Sequence, residues 1–146
     1  MKVLVQRSLN SSVSVDGNVV GSIDKGIVLL VGFTHTDTIE DIEYLVKKVV
    51  NLRIFDDENG VMNKSILDTD GSILSISQFT LYADSKKGNR PSYINAMGGD
   101  SAINLYNKFN EKLSEFVKVE TGMFGEDMKV SITNDGPVTI LLESRG

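Results

Sequence analysis

Two short segments hold the residue types from which a reactive site could be assembled. The first, Ser77-Gln78-Phe79-Thr80-Leu81, sets two hydroxyls around an amide and runs on through Tyr82-Ala83 into a basic loop with Lys86, Lys87 and Arg90. The second, Asn134-Asp135-Gly136-Pro137-Val138-Thr139, carries one of the chain's two prolines. Each also has an ordinary structural reading. Phe79 and Leu81 fit a core with Ser77, Gln78 and Thr80 as strand-end hydrogen bonders, and the second segment fits a turn joining two strands. An X-Pro bond is cis only about 5–6% of the time, so the sequence leaves the Gly136–Pro137 isomer open.

Conventional catalytic equipment is sparse elsewhere. No cysteine is present, which excludes a thiolate nucleophile, a disulfide framework and Cys-ligated zinc or iron–sulfur. The single histidine, His35, follows an apolar strand beside Thr34 and Thr36 and reads as a solvent-facing loop residue rather than a triad member. Asp56 and Asp57 read as turn formers. Asp68-Thr69-Asp70-Gly71 lacks the downstream glutamate of a calcium loop, and no metal is expected. No glycine-rich phosphate loop opens either predicted helix. An enzyme made of these parts lacks a strong side-chain base. Its catalysis would have to come from backbone dipoles and the substrate's own groups.

Hydrophobic period indicates the elements that must position the two segments. Lys2–Gln6 and Ser11–Asp16 read as strands, the second alternating at period two. Asp16-Gly17-Asn18 signals a hairpin, Asn18–Ile23 returns, Asp24-Lys25-Gly26 turns again, and Ile27–Phe33 is apolar enough for a central strand. Ile42, Leu45, Val46 and Val49 mark one face of a helix that Thr38 and Asp41 would cap. A short strand at Arg53–Phe55, turns at Asp56–Gly60 and Asp68–Gly71, and a strand at Ser72–Gln78 follow. A second helix covers about Ser101–Glu115, and strands near Val117–Thr121, Met128–Thr133 and Val138–Glu143 finish the chain, the last two joined by Asn134–Pro137. The pattern predicts a single α+β domain over 1-146: a mostly antiparallel, barrel-like sheet with two main helices. The sheet is expected to be nearly closed, because so many strands otherwise leave edges to protect.

Composition narrows the function classes. A chain of 146 residues, 40% hydrophobic and 24% charged, fits one ordinary globular domain. Its longest apolar run, Ile27–Phe33, is far below the ~20 residues that span a bilayer, so no membrane role is expected. The opening MKVLVQRS lacks an extended apolar region, which makes a cytoplasmic location the default expectation. A net charge of −5 suits neither DNA nor any long duplex, whose binding rests on phosphate neutralisation. Short-range contact with the tip of a nucleic acid is compatible with it.

Both segments together resemble the signature motifs SQFTL and NDGPVT of the D-aminoacyl-tRNA deacylase family, here at Ser77–Leu81 and Asn134–Thr139. The likeness continues through Gln6-Arg7, Asn51–Phe55, Gly60–Asn63, Arg90-Pro91-Ser92, Thr121–Phe124 and Asp127–Val130, and so spans essentially the whole chain. The resemblance implies a homodimeric, cofactor-free hydrolase that proofreads chirality by cleaving the ester between a D-amino acid and the 3′ end of aminoacyl-tRNA. It implies a cis Gly136–Pro137 peptide inserted from one subunit into the pocket of the other, its carbonyl oxygens toward the substrate. Arg7 would hold that geometry, and Asn134, Met123 and Phe124 would join it in binding substrate. Ser77, Gln78, Phe79 and Thr80 would form the catalytic motif, with backbone N–H groups near Gln78–Thr80 stabilising the oxyanion. The ribose 2′-hydroxyl would assist the attacking water. Thr80 would position substrate without being acylated, and Phe79 would wall the pocket or meet the terminal adenine. Lys86, Lys87 and Arg90 would meet tRNA phosphates. Because such a pocket tests for a missing side chain on one face, glycyl-tRNA is expected to pass as well. Two alternatives are a general esterase using Thr80 and a dimeric RNA 3′-end-binding module without turnover.

Overall fold

The first two strands are longer than their pattern suggests. In the computed structural model, which describes residues 1–145, β1 (Lys2–Val15) and β2 (Asn18–Gly32) pair antiparallel from Lys2↔Gly32 to Val15↔Asn18. The hairpin at Asp16-Gly17 forms as expected, both residues taking positive φ. Asp24-Lys25-Gly26 is not a turn: Leu9↔Lys25 and Ser8↔Gly26 continue the ladder. Gly26 serves a close approach instead, since a Cβ there would lie 1.9 Å from the Ser72 carbonyl oxygen. The polar break inside β1 is absorbed locally. Ser8 and Ser11 are buried, and their hydroxyls donate to the carbonyls of Gln6 (2.8 Å) and Leu9 (2.9 Å).

The first helix matches expectation. α1 (Ile39–Asn51) opens on a Thr38–Asp41 capping box, with the Thr38 amide donating to Asp41 Oδ2 at 2.8 Å, and buries Ile42, Leu45, Val46, Val49 and Val50. The strand expected at Arg53–Phe55 shrinks to β3 (Phe55–Asp56), which pairs with β4 (Met62–Lys64). Asp57 shapes their connection by accepting from the amides of Asn59 and Val61. Asp68 likewise spends its carboxylate on the Ser65 amide at 2.9 Å. Then come β5 (Ser72–Ser77), α2 (Gly99–Leu113), β6 (Val119–Thr121) and β7 (Lys129–Glu143).

The main sheet has the order β6-β5-β2-β1-β7. It is mixed, with most of its pairing antiparallel as expected, and it is open, which corrects the expectation of a nearly closed, barrel-like sheet. β2–β5 and β5–β6 are parallel, and parallel neighbours need long crossovers, here supplied by α1 and α2. Closure would require β6 beside β7, but β6 offers only three residues to pair. Where they pair, Ile27–Val31 of β2 and Ile73–Ile76 of β5 are buried on both faces, as parallel strands should be, with Leu30 alone half buried. On one face Val3, Val5, Ile27, Leu29 and Ile73 pack with α1 and with Tyr106, Phe109 and Leu113 of α2. On the other, Val13, Ile23, Val28, Leu74 and Ile76 are backed by half-buried Leu30, Met128, Val130 and Ile132. No helix among the described residues is long and apolar enough to cross a membrane.

One ion pair ties the end of β7 to α1. Arg145 donates through Nε to Asp41 Oδ1 and through Nη2 to Asp41 Oδ2, each at 3.0 Å. Burial pushes the Asp41 carboxyl up, but the Arg145 hydrogen bond and the Thr38 amide outweigh it and hold the group well below the usual carboxylate range. A depressed folded pKa stabilises the fold above the unfolded value of 3.8 and loses that contribution as pH falls through the folded value. Asp41→Asn should therefore lower the urea midpoint at neutral pH, and its gap to wild type should narrow as pH drops below 3.8. A gap that stays constant in acid would rule out this pairing as its source.

Candidate functional site

The parallel strands β2 and β5 end side by side, and open α/β sheets place ligands at such carboxyl ends. A cavity of about 510 Å³ opens there. Its floor is the end of β2 (Val31 and Gly32) and the following Phe33, with Ile76 and Ser77. Gln78 and Phe79 form one side, and Tyr93, Met97 and the start of α2 at Gly98-Gly99 form another. Phe124, Gly125 and Glu126 complete the rim. The lining is mainly apolar, and Glu126 is its one carboxylate among the described residues. Tyr106 stands behind Phe124, ring centroids 5.9 Å apart, and donates its hydroxyl to the Ser75 carbonyl at 2.7 Å. Burial holds that phenol above its ordinary pKa, so it stays a donor.

Beyond Ser77 the chain leaves the sheet in a single tight turn over Phe79–Tyr82. The Gln78 amide donates to the Val31 carbonyl at 2.7 Å, so it is spent on the sheet and not free to act as an oxyanion donor. This narrows the donors expected near Gln78–Thr80. The Phe79 and Thr80 amides head the turn and have no acceptor among the described residues. Phe79 is 52% exposed and meets Tyr93 edge-on at 5.1 Å, which removes the core reading for it. Thr80 does not line the cavity; its hydroxyl accepts from Gln78 Nε2 at 2.5 Å. No basic side chain bonds to it among the described residues, and His35 is exposed with Nε2 2.8 Å from the Ile94 carbonyl. A Thr80 nucleophile thus has no partner to take its proton.

Asn134–Pro137 does not join two strands, contrary to expectation. It bulges from within β7: Gln6 pairs Thr139 and Ser8 pairs Asn134, so two steps along β1 face five along β7. Arg7, on the intervening step, reaches under the bulge. Its Nε donates to the Asp135 carbonyl at 3.0 Å and its Nη1 to the Ile54 carbonyl at 2.8 Å. The carboxylates of Asp56 (3.6 Å) and Asp135 (3.5 Å) flank it. Asn134 closes the bulge, its Oδ1 accepting from the Val138 amide at 3.1 Å and its Nδ2 donating to Thr139 Oγ1 at 2.9 Å. A Cβ on Gly136 would fall 2.8 Å from Val138 Cγ2 and 3.1 Å from Arg7 Nη2, at a φ of +133°, so the position admits only glycine without strain. The Gly136–Pro137 peptide is cis, and both residues are exposed at the tip.

Of the residues singled out in the sequence, Ser77, Gln78, Phe79 and Phe124 come together at the cavity. Arg7, Asn134, Gly136 and Pro137 form a separate cluster that does not line it. Met123 is exposed outside the lining, and Lys86, Lys87 and Arg90 sit on an exposed loop pinned by paired Asp84 and Ser92 backbones. Tyr93, Gly98-Gly99 and Glu126 were not found by sequence reasoning. Gly98-Gly99 before a helical pattern was the available signal.

Comparison with known proteins bears on what such a cavity does. The family model described as D-Tyr-tRNA(Tyr) deacylase matches residues 4–143. A D-aminoacyl-tRNA deacylase of Clostridium novyi (strain NT) is 58% identical over 146 residues, covering 99% of this chain and 98% of the relative. A solved structure described as a c-Myc DNA unwinding element binding protein is 43% identical, with a TM-score of 0.95 and both chains fully covered. A probable eukaryotic D-amino acid tRNA deacylase, 17% identical, superimposes with a TM-score of 0.83 over 97% of this chain and 98% of its own, and speaks to the fold alone.

Proposed function

The chain belongs to the D-Tyr-tRNA(Tyr) deacylase family, hydrolases acting on aminoacyl-tRNA, and on that premise we propose a chiral proofreading reaction with a defined division of labour. The enzyme hydrolyses the ester between a D-amino acid and the 3′-terminal adenosine of tRNA, and the matching glycyl ester, while rejecting L-aminoacyl-tRNA. Water, assisted by the ribose 2′-hydroxyl, attacks the carbonyl carbon; the bond to the 3′ oxygen breaks and that oxygen takes the proton. The amides of Phe79 and Thr80 receive the developing oxyanion, and donors of this kind supply ~3 kcal/mol or more each. The free state of these two amides, beside a cavity with no acid–base pair, is the observation that carries the reading.

Selection falls to the Gly136–Pro137 bulge of a second copy, entering the cavity of the first. What supports a second copy is placement. The bulge is exposed, held by a guanidinium that is 12% exposed, and outside its own chain's cavity. Along edge strand β7 a row of apolar residues, including Val138, Ile140 and Leu142, is only half buried. A rigid wall of carbonyl oxygens leaves room for a D side chain directed away from it and clashes with an L one. Each ~1.4 kcal/mol of clash is tenfold in binding, so a few kcal/mol suffice. Phe79 and Tyr93 take the terminal adenine, Phe124 walls the amino acid, Met123 and Asn134 flank the wedge, and Lys86, Lys87 and Arg90 meet phosphates near the 3′ end. The setting is the cytoplasm.

The deciding experiment incubates purified protein with D-tyrosyl-, L-tyrosyl- and glycyl-tRNA. Loss of the D and glycyl esters alone is expected. If glycyl-tRNA proves as resistant as the L ester, exclusion by a wall is wrong. Loss of none indicates a binding module, and cleavage of small activated esters without tRNA indicates a general esterase. Substrate ending in 2′-deoxyadenosine should react much more slowly. Thr80→Ala should stay within about tenfold of wild type, the scale of one lost hydrogen bond. A fall beyond a thousandfold, or a trapped acyl-Thr80, would instead make Thr80 the nucleophile (a drop of about 4 kcal/mol in barrier lowering).

A further inference from the structure

The chain leaves the cavity wall after Phe33, and α1 then runs from Ile39 to Asn51, about 20 Å. Around its last turns lies a second groove of about 410 Å³, lined by Tyr44, Lys47, Lys48, Asn51, Leu52 and Arg53. No carboxylate among the described residues lines it. Lys47 and Lys48 are exposed and make no ion pair among the described residues, although acids outnumber bases in the chain by 20 to 15. The nearby carboxylate of Glu43 is engaged by Lys112 at 3.8 Å. Tyr44 is 47% exposed, with Lys48 Nζ 5.8 Å from its ring centroid. Arg53 is braced, its Nε donating to the Asn63 carbonyl at 3.1 Å and its Nη2 to Asn63 Oδ1. Concentrated positive charge beside a flat aromatic face suits a sugar–phosphate backbone: ammonium groups neutralise phosphates and the ring packs on a ribose or base.

The groove's position specifies which nucleic acid. Arg53 precedes Ile54, whose carbonyl anchors the same Arg7 guanidinium that holds the Gly136–Pro137 bulge. One end of the groove, at Arg53, is thus a single residue along the chain from the bulge's anchor. Resting on the two-copy deacylase reading above, we propose that the α1 groove is a second tRNA contact. It binds backbone phosphates beyond the terminal adenosine and is supplied by the subunit opposite the one whose cavity holds the ester.

The test compares wild type with Lys47→Ala/Lys48→Ala and Lys47→Arg/Lys48→Arg, on full-length D-tyrosyl-tRNA and on the D-tyrosyl ester of adenosine alone. Two phosphate contacts correspond to about a tenfold loss of affinity for a fourfold rise in salt. The alanine pair should therefore raise KM for full-length tRNA about tenfold at low salt with kcat unchanged, and flatten the salt dependence. The arginine pair should behave as wild type, and the adenosine ester should be indifferent to both. Unchanged KM and salt slope on tRNA, or an equal loss on the adenosine ester, would overturn the proposal. If wild type cleaves neither ester, the deacylase reading has failed, and binding of uncharged tRNA still decides the groove. Equal binding by wild type and the alanine pair would then reject it, whether the groove is empty or serves an acidic peptide.

Discussion

Arg7→Ala is expected to slow hydrolysis of D-tyrosyl-tRNA about a hundredfold or more while the sheet stays folded. The bulge at 135–138 has lost its ladder to β1, so Arg7 and Asn134 are what hold it. Two charge-assisted hydrogen bonds, to the Asp135 and Ile54 carbonyls, are each worth ~1.5–3 kcal/mol. Without them those carbonyls lose their donor and the carboxylates of Asp56 and Asp135 lose the cation that lies 3.6 and 3.5 Å from them. The cost falls mainly on position. A catalytic or selecting group displaced by about 1 Å can lose a hundredfold in rate. Arg7→Lys should fall between, because one ammonium cannot reproduce the fork that spans both carbonyls. Single-turnover deacylation beside thermal melts separates the two effects. Full activity in Arg7→Ala would show that the bulge keeps its shape unaided or takes no part.

Gly26→Ala should produce the largest stability loss, about 4 kcal/mol, combining overpacking with a backbone region closed to L side chains. At φ +141° its new Cβ would sit 1.9 Å from the Ser72 carbonyl oxygen and 2.6 Å from the Ser72 nitrogen, backbone atoms of the paired strand that cannot swing away. Gly17→Ala and Gly60→Ala are the controls. Both have positive φ but nothing within 4 Å, so each should cost only the ~1–2 kcal/mol of conformation. Urea unfolding of the three variants tests this, and equal midpoints would mean β2 and β5 do not approach so closely. Activity should fall with stability in Gly26→Ala, because β5 delivers Ser77 and the Phe79–Tyr82 turn to the cavity.

What could be read before folding was local. Thr38 and Asp41 cap α1 within one turn of chain, and Ile42, Leu45, Val46 and Val49 mark its buried face whatever they pack against. The Asp16-Gly17 hairpin and the Asp57 turn are likewise set by residues a few positions apart. Both motifs were recognisable as strings, and the family they resemble is the one to which the chain belongs. Tertiary structure decided the rest. Alternation at period two is the same for a strand with a parallel or an antiparallel neighbour, so the mixed, open sheet was hidden. Gly26 looked like a turn because a glycine needed for a turn and one needed for a neighbouring backbone are the same letter; only Ser72, forty-six positions away, separates them. The same holds for Asn134–Pro137, whose bulge is defined by its register against Gln6 and Ser8. Which amides of the Ser77–Leu81 motif remain free depended on the Val31 carbonyl claiming that of Gln78. Short-range sterics and capping are encoded where they act, whereas strand partners and spent donors arise only when distant segments meet.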